Sequence, residues 1–313
     1  MSLDLRPLTL GELFDRAFSM YRRHLWVFAG IAAIPSVLAL AATLMAQTAQ
    51  MLVMRSTLNP GGAEALNAGS LVTIAGLYGG MMVLMLAYWV VYMIALGATT
   101  FAVSELYFGR PVSIAQVYGQ IRSRIGQLVL LMLLIGLRLF GLMLVAGVVV
   151  AMTFGAAASN NPGAAVLLGL LAVLTFGVIA VASTYLCLRY AVAVPALVIE
   201  RLKASESIRR SIELTKGRLL RVFLLVVCAL MVTYATMAIF QGPFILGALM
   251  AGPGSTRWFW LNLTGGVVGT IGATFTTPIL IIGLALIYYD ARIRDEGLDL
   301  ELTLAALDTP AGA

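Results

Sequence analysis

The chain has 313 residues, 61% of them hydrophobic and only 11% charged, with a mean hydropathy of +0.99 and a formal net charge of +6. Water-soluble domains carry about 25% charged residues, so this composition excludes a soluble enzyme and places the chain in a lipid bilayer. One His, two Cys and 14 acidic residues exclude most metal and acid/base chemistry. A structural zinc site takes about four Cys or His ligands, against Cys187, Cys228 and His24 here. Both Cys lie in apolar runs and read as small core residues, so neither a metal, a cofactor nor a disulfide framework is expected. The positive charge fits loops that face anionic lipid, with no nucleic-acid partner.

In chain order, Thr9 and Glu12 match a capping box at the start of a basic amphipathic helix. Phe14, Phe18, Tyr21 and Leu25 share one face of it, and Arg16, Arg22 and Arg23 supply its charge. His24 reads as a headgroup contact beside Arg22 and Arg23. At roughly 20 apolar residues per crossing, six spans follow, at about 25 to 46, 71 to 103, 127 to 154, 164 to 188, 219 to 240 and 263 to 289. The first reads as a signal anchor rather than a cleaved leader. The second, about 50 Å long as a helix, must tilt, kink at Gly79-Gly80 or project beyond the hydrocarbon.

Ser113 and Gln116 open a second basic amphipathic segment, with Val117, Ile121 and Leu128 on one face and Arg122 and Arg124 beside them. A third places Ile208, Ile212, Thr215 and Leu219 on one face and Arg209, Arg210, Glu213, Lys216 and Arg218 on the other. There Glu206 with Arg210 and Arg209 with Glu213 stand at i, i+4 spacing. Each segment introduces two spans, which predicts an all-α polytopic fold in three repeats of about 90 to 105 residues, at about 8–108, 111–200 and 203–292. Residues 1–295 then form a single six-span domain, and 296–313 an acidic C-terminal tail. The stretch from Gly242 to Gly252 is too short to cross and reads as interfacial or re-entrant. Arg257-Trp258-Phe259-Trp260 reads as a membrane-interface anchor at the head of the sixth span.

Of the 20 Lys and Arg, sixteen fall on the N-terminal side of these spans and only Arg55 and Arg257 on the other, which puts both termini in the cytoplasm and the protein in the cytoplasmic (inner) membrane. Arg138 and Arg189 complete the set. Arg138 stands about 11 residues, near 16 Å, into the third span, where a guanidinium costs several kcal/mol unless paired or hydrated. If the fourth run stays helical past Pro195, Arg189 shares that depth and the two could clamp one anionic group. If Pro195 ends the span, Arg189 snorkels to the interface. Glu105, Glu200, Asp290 or a backbone carbonyl are the available countercharges. Pro35, Pro195, Pro243 and Pro278 break helix hydrogen bonding, and Gly265, Gly269 and Ala273 give a helix a face for close contact.

Four segments together resemble a known family: Arg6 to Asp15 (RPLTLGELFD), Arg189 to Glu200 (RYAVAVPALVIE), Ser211 to Arg218 (SIELTKGR) and Tyr288 to Arg292 (YYDAR). They look like the membrane domain of bacterial glycerophosphoryl diester phosphodiesterases and its free-standing relatives, over roughly residues 6 to 300. The resemblance implies a six-helix membrane module. In the phosphodiesterases a separate barrel domain hydrolyses substrate with a carboxylate-bound metal, and nothing in this sequence reads as that domain. The expected function is therefore a non-catalytic membrane protein that binds anionic lipid or a membrane or cytoplasmic protein partner, as a subunit or scaffold of an assembly. The alternative is a transporter or flippase-like carrier of an anionic amphiphile that uses Arg138 and Arg189.

Overall fold

The computed structural model describes residues 8–58, 68–158 and 162–297, and among these the chain is helical, with no strand. Ten α-helices follow in order: α1 (Leu10–Arg23), α2 (Leu25–Leu58), α3 (Ala68–Tyr107), α4 (Ile114–Ile121), α5 (Ile125–Ala158), α6 (Pro162–Arg189), α7 (Ala193–Ile199), α8 (Ala204–Leu214), α9 (Leu219–Ala251) and α10 (Thr256–Glu296). A single 3-10 turn, Arg122–Arg124, leads into α5. The helices that begin at Leu25, Ala68, Ile125, Pro162, Leu219 and Thr256 are long and apolar enough to cross a membrane, so the chain is a multi-pass membrane protein with six spans. At 1.5 Å per residue the 40-residue α3 and the 41-residue α10 are each about 60 Å long, twice a hydrocarbon core of about 30 Å, so both tilt or extend beyond it.

The chain divides into two compact units. The first takes residues 8–122 and 224–286, where α2 packs on α3 and the short helices α1 and α4 pack on their neighbours. At Gly80 of α3 the end of the flexible Met45 side chain from α2 fills the space that a Cβ would take. The run through Gly79-Gly80 is unbroken helix. The second unit takes residues 123–223 and 287–297 of the described chain, with α5 packed on α6, α7 on α8, and α8 on α5.

Local signals explain the ends. The Thr9 hydroxyl accepts from the Glu12 amide at 3.3 Å while the Glu12 carboxylate accepts from the Thr9 amide at 2.7 Å, a complete capping box that satisfies free N–H groups at the start of α1. The Ser113 hydroxyl caps α4 by accepting from the Gln116 amide. At α8 the Glu206 carboxylate accepts from the Lys203 amide at 3.1 Å, and the next free donor, Ala204 N–H, reaches Gln127 of α5 at 3.0 Å. Glu206 is thereby occupied at the helix start and makes no pair with Arg210, contrary to the i, i+4 reading; Arg209 and Glu213 do approach, at 3.9 Å.

Two span readings are corrected. Residues 242–251 are no re-entrant segment but the last turns of α9, which passes through Pro243; the length rule fails because it treats as isolated a stretch that continues the preceding run. Only residues 252–255 separate α9 from α10, with Gly252 and Gly254 at φ +76° and +79° making the turn. Likewise the fourth run ends at Arg189, before Pro195, which lies in the first turn of α7 where its missing N–H leaves no hydrogen bond broken. On α1 the buried register is Leu13, Ala17 and Tyr21, one position ahead of the Phe14 and Phe18 face read from spacing. The acidic tail beyond residue 297 and the side chain of Arg55 lie outside the described residues.

Candidate functional site

In the second unit the sequence motifs converge on one cluster of charges. Arg210 of α8 holds Glu200 with its Nε, at 2.9 and 3.1 Å to the two carboxylate oxygens, and Glu296 with its Nη2. The Tyr288 hydroxyl donates to the same Glu200 carboxylate at 2.7 Å, and the Arg292 guanidinium, lying over the Tyr288 ring, donates to Glu296 at 2.8 Å. Arg218 grips Asp295 with both terminal nitrogens. Asp290, only 2% exposed, stands 3.3 Å from Arg221 and 3.0 Å from Arg294. Burial by itself lowers the Arg210 pKa, and the hydrogen bonds to Glu200 and Glu296 outweigh it and raise it; the Arg218 pKa is raised chiefly by its bonds to Asp295. Paired and hydrogen-bonded in this way, the ions hold three chain segments together, and losing the arginines around Asp290 would leave its buried charge without these partners.

This pairing redistributes the predicted basic residues. Arg210 and Arg218 turn inward, while Arg209, whose side chain is 80% exposed, and Lys216 face outward. Arg122 is exposed, and Arg124 donates to the Arg201 carbonyl at 3.1 Å, held out by the left-handed backbone of Arg201 at φ +57°. On α1, Arg16 lies over the Tyr107 ring and Arg22 and Arg23 are exposed. The intervening His24, which ends α1, has its pKa lowered by burial and by the charge of Arg23. The candidate countercharges are used elsewhere: Glu105 meets Arg110 at 3.5 Å, Glu200 and Asp290 the arginines above.

Arg138 and Arg189 come to one end of the α5–α6 hairpin. Arg189 closes α6 and is tied to the protein: its Nε donates to the Tyr185 hydroxyl at 3.0 Å, its Nη1 to the Ile212 carbonyl at 3.0 Å, and its own carbonyl accepts from the Ser211 hydroxyl at 2.7 Å. Arg138 stands about 13 residues, roughly 20 Å, along α5, with its guanidinium 5.6 Å from the ring centre of Tyr190, the residue after Arg189. It is exposed, between Leu137 at 70% and Phe140 at 62% exposure, and among the described residues it has no carboxylate partner. A cation on an otherwise apolar face, level with Tyr185, Tyr190 and a helix end, is the arrangement of a membrane-interface belt.

The first unit contains a feature the residue spacing did not announce: a cavity of about 320 Å³ among α2, α3, α9 and α10. Ser36, Thr43 and Gln47 line it from α2, Tyr88 and Tyr92 from α3, Gln241 from α9, and Thr270 and Thr277 from α10. No charged side chain lines it among the described residues. Gly266 and Gly269 make room, since a Cβ at Gly266 would stand 2.8 Å from Thr43 and one at Gly269 3.2 Å from the Gln241 amide. Proline shapes it as well. Pro35 has no N–H for the Ile31 carbonyl, and the Tyr118 hydroxyl of α4 supplies the missing donor at 3.0 Å. The Tyr21 hydroxyl of α1 donates to the Phe275 carbonyl, one residue past the Thr274 carbonyl that Pro278 leaves without a helical N–H. The signal was present in the sequence as polar residues inside apolar runs at helical spacing, 36, 43 and 47 on α2 and 88, 92 and 99 on α3. Among the described residues, no three of His, Cys, Asp and Glu gather closely enough to hold a metal ion.

Residues 165–301 match the membrane domain of glycerophosphoryl diester phosphodiesterase, a match over less than half of the chain. Three of the four resembling segments, Arg189 to Glu200, Ser211 to Arg218 and Tyr288 to Arg292, lie inside it, and they give the ion-pair cluster Glu200, Arg218, Tyr288, Asp290 and Arg292. Neither curated proteins nor solved structures yield a match.

Proposed function

We propose that this multi-pass protein is a non-catalytic subunit or scaffold of the cytoplasmic (inner) membrane, with both termini in the cytoplasm, that binds anionic phospholipid and offers its outward basic face to a protein partner. The observation that carries the reading is Arg138: an exposed guanidinium on an apolar helix face, with a tyrosine ring beneath it and no carboxylate beside it. A phosphate diester satisfies such a group, since its oxygens match the guanidinium fork. The exposed Arg22, Arg23 and Arg122 of the first unit and Arg209 and Lys216 of the second each suit an anionic lipid surface, where a basic residue contributes about 1 kcal/mol. Placing them in the cytoplasm follows the rule that short loops rich in Lys and Arg stay inside.

The carrier reading draws on the juxtaposition of Arg138 with Arg189 through Tyr190. Arg189 supports it less than spacing suggested, because its donors already serve Tyr185 and Ile212. Native mass spectrometry of the detergent-extracted protein, titrated with phosphatidylglycerol and with phosphatidylcholine, separates these readings. Binding that prefers phosphatidylglycerol, weakens about tenfold in Arg138→Ala and leaves the melting temperature near wild type supports the scaffold. Equal binding of both lipids, or a lower melting temperature with lipid unchanged, contradicts it. Cysteines placed around Arg138 that label from both sides of the membrane would favour the carrier.

A further inference from the structure

The polar cavity of the first unit is independent of the charged cluster and of Arg138, and its chemistry differs from both. We infer that it is a binding site for an uncharged, hydroxyl-bearing group, either the headgroup of a neutral glycerolipid such as a diacylglycerol or a free polyol.

Three observations lead there. The first is unmet hydrogen-bonding capacity. The Oε1 of Gln47 is buried with no partner, and the Gln241 amide and the Tyr88 and Tyr92 hydroxyls line the same space. Inside a bilayer no bulk water supplies the partner that Gln47 lacks, and the group costs free energy until something does. The second is the kind of capacity on offer. Ser36, Thr43, Thr270 and Thr277 spend their protons on the carbonyls of Ala32, Ala39, Gly266 and Ala273, at 2.7 to 2.9 Å. The Ser36 oxygen already accepts from the Thr274 hydroxyl at 2.7 Å, but those of Thr43, Thr270 and Thr277 remain acceptors, as does the buried Gln47 Oε1, whereas the two tyrosines and the two amides can donate. A group that both donates and accepts, as a hydroxyl does, satisfies this lining; a carboxylate or a phosphate does not, because it brings charge and no proton to donate.

The third is the absence of any charged lining side chain among the described residues, which makes an ion unwelcome at this depth. The size agrees. At about 30 Å³ per water the space of about 320 Å³ takes about ten waters, or one glycerol-sized head with the start of its chains. Gly266 and Gly269 keep it open, and the two glutamines lie over them.

The test is native mass spectrometry of the full chain in detergent with three probes: dioctanoylglycerol, glycerol and dioctanoyl phosphatidic acid. The site predicts that dioctanoylglycerol binds one to one, that Gln47→Leu weakens it about tenfold, and that Ala39→Phe, which puts a ring into the space, abolishes it. Gln47→Leu also raises the melting temperature of the ligand-free protein, a change that a purely structural glutamine would not give. Glycerol binding as tightly as dioctanoylglycerol upholds the site and identifies a free polyol as its occupant. Phosphatidic acid binding as tightly as dioctanoylglycerol overturns the inference, as does binding of neither neutral probe, or dioctanoylglycerol binding that both variants leave unchanged.

Discussion

In the second unit Glu200, Asp290, Asp295 and Glu296 each meet an arginine, and Tyr288 adds a hydrogen bond to Glu200. The cavity of the first unit instead sets hydroxyls, amides and phenols among apolar side chains, with the Gln47 Oε1 buried and without a partner. Both units place polar atoms in apolar surroundings, where an unsatisfied group is expensive, and charge makes the difference. A buried ion is costly to leave open, and in the charged cluster each acid is met by an arginine, which fastens the chain. A buried amide costs less, so a neutral cavity can stand partly unsatisfied and wait for a ligand. The paired charges of the second unit therefore mark the fastening and the neutral polar groups of the first mark the opening, while Arg138, Arg209 and Lys216 face outward and take no part in the fastening.

That contrast breaks most visibly at Glu200. Glu200→Ala removes the acceptor of Arg210 and Tyr288 and should cost about 3 kcal/mol, read as a fall in melting temperature in detergent; Glu200→Gln, which keeps an acceptor for Tyr288, should cost less. Within the first unit Tyr118→Phe strips the Ile31 carbonyl of its substitute donor and should cost about 1.5 kcal/mol. Pro35→Ala restores an N–H for that carbonyl, so combining it with Tyr118→Phe should recover part of the loss, and no recovery would refute the link between the proline and the tyrosine. Thr9→Ala removes the α1 cap and should cost about 1 kcal/mol, with the fraying seen as faster amide exchange at residues 10–13. Arg209→Ala, at an exposed pair with Glu213, should change stability by less than about 0.5 kcal/mol.

The membrane-spanning helices, the Thr9 capping box and the close packing at Gly265 and Gly269 could be read directly from the residues, because each depends on neighbours within a few turns of one helix or on composition. A Cβ at Gly265 would stand 2.9 Å from Phe244, and Gly269 faces Gln241, as the small-residue spacing indicated. What spacing could not supply is which distant partner each charge selects. Arg210 has an acid four residues away and takes Glu200 and Glu296 instead, and Glu206 caps its own helix. Spacing ends the fourth span at about residue 188, and the helix ends at Arg189, but spacing leaves open whether the helix runs on past Pro195; it does not, and the Ser211 hydroxyl takes up the Arg189 carbonyl. The cavity was hidden for a similar reason: it needs four helices, and each one shows only two or three polar residues in a long apolar run.

The division between a charged fastening and a neutral opening is tested most directly by melting Glu200→Ala and Gln47→Leu beside the wild type in one detergent, without added ligand. The account predicts shifts of opposite sign, a fall of about 3 kcal/mol for Glu200→Ala and a rise of about 1 kcal/mol for Gln47→Leu. A comparable fall for both would contradict it, because Gln47 would then be as much a part of the fastening as Glu200.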